Sequence, residues 1–157
     1  MLDFAKLNTA TAQVLDFLEN VRDEEILANS AKILRIVLRD DKCYERVTTM
    51  HNEMANTLVN CLDKYSFSEV VLVELLAALR NFTRSPAKVP LLEKQALGSV
   101  VSLAVQPPND KVFAMAAAVL KNLSKVPDYD RHLKQIGGHE IVVILGGDGV
   151  NRFNFKK

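Results

Sequence analysis

The sequence predicts an all-α chain of stacked helical repeats. A short motif recurs forty-one residues apart: Leu79, Asn81 and Phe82 come back as Leu120, Asn122 and Leu123. Apolar residues follow the 3.6-residue period of a helix around each copy. Proline- and glycine-bearing breaks, SPAKVP, PPND, VPD and GG, fall between the periodic stretches, where a packed chain must turn.

Forty-five residues before Asn81 a third copy stands in the same register, with Leu34 for the leucine, Ile36 in the asparagine slot and Val37 after it. The register also holds eleven residues downstream, at Val47, Leu92 and Leu133, and twenty-two downstream, at Leu58, Leu103 and Ile144. Each copy reads as a short first helix, a second helix and a longer third. In the second copy these span 43–50, 52–65 and 67–84, and in the third 87–95, 98–106 and 109–125. The first copy carries a weak first helix over 3–8, then 11–20 and 23–40. A fourth has only its first two helices, 129–136 and 139–145. Ser68, Asn109 and Asp128 are the expected N-caps, since their side chains can accept from an unpaired backbone N–H. Repeats therefore fall at about 1–40, 41–84, 85–125 and a partial 126–147, with 148–157 a C-terminal tail.

Counted from the asparagine slot, positions −9, −5, −2 and +1 of the third helix are apolar or alanine in every copy. In the second copy they are Leu72, Leu76, Leu79 and Phe82, which project onto one stripe, whereas 0, −4, −7 and +3 project opposite it. One repeat cannot bury its stripe alone, so neighbours must stack to complete a core. Leu79→Asp is expected to unfold the chain.

The repeat period near 42, the three helices per unit and the runs Ala78-Leu79-Arg80-Asn81-Phe82 and Val119-Leu120-Lys121-Asn122-Leu123 resemble the armadillo repeat. The stretch from Asp130 to Gly138, a basic residue, an aliphatic one and then Gly-Gly, is similar to that family's first helix. The resemblance covers about residues 1–147 and implies a right-handed superhelical solenoid whose third helices line a concave groove. In that family the asparagines bond the backbone of an extended peptide, a role that falls here on Asn81 and Asn122. Ile36 in the first slot removes one such clamp. Import adaptors of the family carry Trp four residues before the asparagine; Lys32, Ala77 and Ala118 stand there, and the chain has no Trp, so a lysine-rich import signal is not the expected ligand.

Position +3 is Arg39, Arg84 and Lys125, and position −1 is Arg35, Arg80 and Lys121. Stacking turns these into two cationic rows flanking the asparagines, suited to carboxylates or phosphates on an extended segment of a partner protein. This resembles the catenin branch, whose grooves take acidic peptides. The alternative for the same cations is that they complement the helix dipoles. The asparagines likewise could tie neighbouring segments by hydrogen bonds. Both Arg80 and Arg84 lie off the stripe, so reversing them is expected to spare stability.

No catalytic constellation is present. His51, His132 and His139 lack ligand spacing with Cys43 or Cys61, so neither a metal nor a cofactor is expected. GGDG at 146–149 is similar to a phosphate-binding turn, but no α/β pattern precedes it and Val150 stands where such folds place Thr. A net charge of +1 gives no global attraction for nucleic acid. No run reaches the roughly 20 apolar residues that span a bilayer, and the N-terminus does not read as a signal peptide. The expected setting is the cytoplasm or nucleus. Ile141, Val142, Ile144 and Leu145, without a third helix of their own repeat, give a second expectation: assembly through open solenoid ends into homo- or hetero-oligomers, or a fragment of a longer solenoid.

Overall fold

The computed structural model describes residues 3–137. Side-chain caps set where most helices begin. Asp3 accepts from the amides of Ala5 and Lys6 to open α1 (Phe4–Asn20), and Asp23 from Ile26 to open α2 (Glu24–Arg39). Asp40 caps the short α3 (Asp41–Arg46) through Cys43 N at 2.9 Å, which holds its carboxyl below the usual range. A 3₁₀ turn, Thr48–Met50, leads into α4 (His51–Lys64). Ser68 caps α5 (Glu69–Thr83), and Asn109 caps α7 (Asp110–Leu123). Between them lie two 3₁₀ segments, Pro86–Leu91 and Lys94–Ala96, and then α6 (Leu97–Val105). α8 (Pro127–Ile136) ends at Gly137, whose φ of 88° is the left-handed geometry glycine supplies at a helix terminus.

Three of these differ from the sequence reading. The weak first helix and the second helix of copy one are a single 17-residue helix, because nothing between Asp3 and Asn20 breaks it. The first helix of copy three is replaced by 3₁₀ turns: Pro90 lies inside it and removes an amide that an α-helix there would need, whereas Pro86 stands at its start. Asp128 is not the cap of α8. Val126 holds that place and Pro127 takes the first helical position, where its fixed φ fits and its missing N–H costs nothing.

The third helices α2, α5 and α7 lie side by side with α5 in the middle, and α1, α4 and α6 form the layer behind them. The twelve stripe positions of the three third helices are all buried, from Leu27, Ala31, Leu34 and Val37 through Leu72, Leu76, Leu79 and Phe82 to Phe113, Ala117, Leu120 and Leu123. They join one continuous core that runs from Val14 to Leu133. Burying a leucine of this kind is worth about 1.5–3 kcal/mol.

Helix C-termini leave carbonyls without an intrahelical donor, and here side chains from other helices supply many of the donors. Tyr65 Oη donates to Leu18 O at 3.0 Å and Lys64 Nζ to Glu19 O at 2.6 Å, closing the end of α1. Arg84 Nε donates to Leu38 O at the end of α2, and Tyr44 Oη to Phe82 O at the end of α5. Tyr129 Oη donates to Leu92 O at 2.6 Å. All three tyrosines of the chain are thus buried with the hydroxyl spent on a backbone carbonyl.

Candidate partner-binding surface

The aligned third helices carry acids in their first turns and cations in their last: Glu24, Glu25, Glu69 and Asp110 at one edge, and Arg39, Arg80 and Lys121 at the other. The helix dipole favours both placements. What distinguishes the cations is which of them are already paired. Arg35 is half-buried and its Nε bonds Glu74 at 2.8 Å across the α2–α5 joint. Arg84 donates from Nη1 to Asp41 at 2.7 Å, from Nε to Leu38 O, and stacks its guanidinium 4.9 Å from the Tyr44 ring. Among the described residues Arg39, Arg80, Lys121 and Lys125 make no ion pair. Two members of the expected cationic rows are therefore structural; the other four are without an ion pair among the described residues.

Arg84 also corrects the expectation that reversing it would spare stability, since off the stripe does not mean off the structure. Glu74, which takes up Arg35, was overlooked in the sequence. It occupies position −7, where the other copies hold Asn29 and Met115, and an acid one helix away from a row of arginines was the available signal.

The two asparagines project opposite the stripe, yet Asn81 is only 7 % exposed. Its Nδ2 donates to Arg35 O on α2 at 2.8 Å, and Asn122 Nδ2 donates to Arg80 O on α5 at 3.1 Å and to Thr83 Oγ1 at 3.2 Å. Each therefore ties its third helix to the preceding one. A helix in the middle of a stack is buried on three sides, so the side away from the core stripe is not wholly open: Ala77 and Asn81 both lie below the surface.

A shallow depression beside this surface is lined by Asp41, Tyr44, Glu45, Thr48, Arg84 and Lys88, and a second, between the N-terminal halves of α5 and α7, by Glu69, Val73, Glu74, Asn109 and Lys111. Behind the first, His51 is buried edge-on to Tyr44 and Phe82, with Nε2 3.0 Å from Tyr44 O. A carbonyl can only accept, so Nε2 carries the proton. Burial, and then the nearby Lys88, holds the imidazole below its ordinary pKa. Cys43 and Cys61 are free thiols, and burial pushes Cys61 up to about 11. No cluster of His, Cys, Asp or Glu among the described residues could hold a metal ion. Ile141, Val142, Ile144 and Leu145 lie outside the described residues.

No family model matches the chain, and no curated protein matches it. Among solved structures, a designed armadillo repeat protein in complex with the peptide (KR)4 has a TM-score of 0.72 over 93% of this chain and 67% of that chain, at 17% identity. The helices, their order and this likeness together establish the fold: the chain is an armadillo-like α-solenoid.

Proposed function

We propose that the chain is a non-catalytic scaffold that holds an extended acidic or phosphorylated segment of a partner protein against the surface of α2, α5 and α7. The observation that carries this is the set of cations without an ion pair among the described residues, Arg39, Arg80, Lys121 and Lys125, at the C-terminal edge of consecutive third helices. Arg35 and Arg84 border the same edge but are held by Glu74 and Asp41, so they shape the surface more than they bind. Asn81 and Asn122 set the spacing of the third helices, and in this reading their side-chain carbonyl oxygens, with the second amide hydrogen of Asn81, reach the backbone of the segment; both amide hydrogens of Asn122 are spent on Arg80 O and Thr83 Oγ1.

The structural neighbour was solved with a basic peptide. The spare charge here is of the opposite use: cations without acids, suited to a catenin-like rather than an import-adaptor-like ligand. The chain has no Trp to clamp a lysine stem, and no helix among the described residues is long and apolar enough to cross a membrane. The reading places the protein in the cytoplasm or nucleus.

Titration of a fluorescent glutamate-rich peptide and its phosphoserine counterpart into the wild type and into Arg80→Glu/Lys121→Glu tests it. Each charge-assisted contact is worth on the order of 1.5–3 kcal/mol, so the double reversal should weaken binding by at least tenfold. The loss should shrink as salt is raised. Equal affinity of both proteins for both peptides refutes the proposal. A second reading, association through the ends of the stack, is favoured by one observation: α2 exposes Ile26, Ile33 and Ile36.

A further inference from the structure

The three exposed isoleucines of α2 have a definite place in the repeat. Shifted by one repeat, Ile26 falls on Val71 and Val112, Ile33 on Ala78 and Val119, and Ile36 on Asn81 and Asn122. In the later copies the aliphatic positions are completely buried, and they share a side of the helix with the asparagine that bonds the preceding third helix. That side is the joint between consecutive third helices. On α2 the same side meets no earlier third helix among the described residues, and Ile26, Ile33 and Ile36 are 42%, 44% and 53% exposed.

Two further features say what suits this face. Its ladder slot holds Ile36 where a helix-to-helix joint within the stack holds asparagine, so the slot carries no donor, and among the three isoleucines the face holds one exposed polar side chain, Asn29. The face is also only one helix wide. α1, beside α2 in the rear layer, exposes Lys6, Thr9, Gln13 and Asp16 and no large apolar residue. A whole additional repeat would need an apolar rear layer to pack on; a single helix would not.

We propose that the outer face of α2 is a self-association surface, on which the α2 helices of two copies of this chain pair antiparallel. Charge selects that orientation. α2 carries Glu24 and Glu25 in its first turn and Arg39 in its last, with Lys32 between Ile26 and Ile36. An antiparallel pair with Ile26 opposite Ile36 of the second copy sets the acidic end of each helix beside the basic end of the other, and opposes the helix dipoles. A parallel pair would stack like charges at both ends. The interface is isologous, so each contact is made twice. Three isoleucines a side fall well short of the ~1,200–2,000 Å² of a standard stable interface, which makes the dimer weak, micromolar or weaker.

Sedimentation equilibrium of the full chain, from a few micromolar to several hundred micromolar, reads the association directly. The wild type should shift from monomer to dimer across the range. Ile33→Lys, at an exposed site, should keep the wild-type melting temperature and weaken the dimer by about tenfold or more. Glu25→Arg and Arg39→Glu should each weaken it, and the two together should restore it. A chain that stays monomeric throughout overturns the proposal. So does a dimer indifferent to Ile33→Lys, or a double reversal that is no better than the single ones. A monomer that instead captures a synthetic peptide of residues 69–83 would assign the face to a foreign helix and overturn self-pairing.

Discussion

Asn81 offers the sharpest separation between a residue that holds the stack together and one that waits for a ligand. Replacing it by alanine removes the 2.8 Å bond to Arg35 O and a few buried heavy atoms. The bond is worth about 0.5–1.5 kcal/mol net, and a small gap adds a comparable amount, for a total of about 1–2 kcal/mol. In a chain of this size that lowers the melting temperature by about 2–8 °C. Asn81→Asp is nearly isosteric but cannot donate, and turns a buried carboxylate toward a carbonyl oxygen, so it should cost more than alanine, about 2–4 kcal/mol. Urea titrations followed by far-ultraviolet circular dichroism give both values. If both variants unfold at the wild-type midpoint, the amide is not part of the joint, and the reasoning that the third helices are tied through it is wrong.

Leu79→Asp places an unpaired charge at a position 1% exposed on the central helix, and should leave no folded population by circular dichroism. Arg84→Glu should cost about 1–3 kcal/mol in urea titration, because it loses the Leu38 carbonyl and the Tyr44 ring and meets Asp41 with like charge, whereas Arg80→Glu should cost under about 0.5 kcal/mol. His51 titrates below its ordinary 6.5 when folded, so the unfolded chain takes up the proton first: its contribution is intact above pH 6.5 and is lost as pH falls below it. Stability should then drop by at most about 1.4 kcal/mol per pH unit, and His51→Gln should flatten that slope in melting curves between pH 5 and 7.

The core was legible in the sequence because burial on a helix is periodic. The stripe of Leu72, Leu76, Leu79 and Phe82 and its counterparts needed only the 3.6-residue repeat to be found. The caps Ser68 and Asn109 were legible for a similarly local reason, a side-chain acceptor three residues before an orphan amide. The surface was not legible to the same degree, because a helical projection separates core from non-core but cannot tell solvent from a neighbouring repeat. Asn81 and Ala77 project away from the stripe and are buried all the same, Asn81 with its amide bonded to the preceding third helix. Arg35 and Arg80 occupy equivalent slots, yet only the first meets a carboxylate, since Glu74 has no counterpart in the third copy. The 3₁₀ turns before α6 were signalled by Pro86 and Pro90, but proline alone does not distinguish a tightened helix from a loop.

The loan of donors to helix ends has a consequence for how the chain comes apart. Apart from local contacts, the side-chain hydrogen bonds among the described residues join positions 36 to 47 apart, about one repeat and never two. When an outer unit frays, it takes with it the tyrosine, lysine or arginine that terminated a helix next door, and those carbonyls are left facing an apolar interior. The neighbour therefore loses more than packing area, and fraying at one end lowers the barrier to fraying at the next joint. Energy is exchanged only between adjacent units, so the array behaves as a one-dimensional chain with strong nearest-neighbour coupling. Such a chain melts as a block when short, and would open progressively from its ends if lengthened.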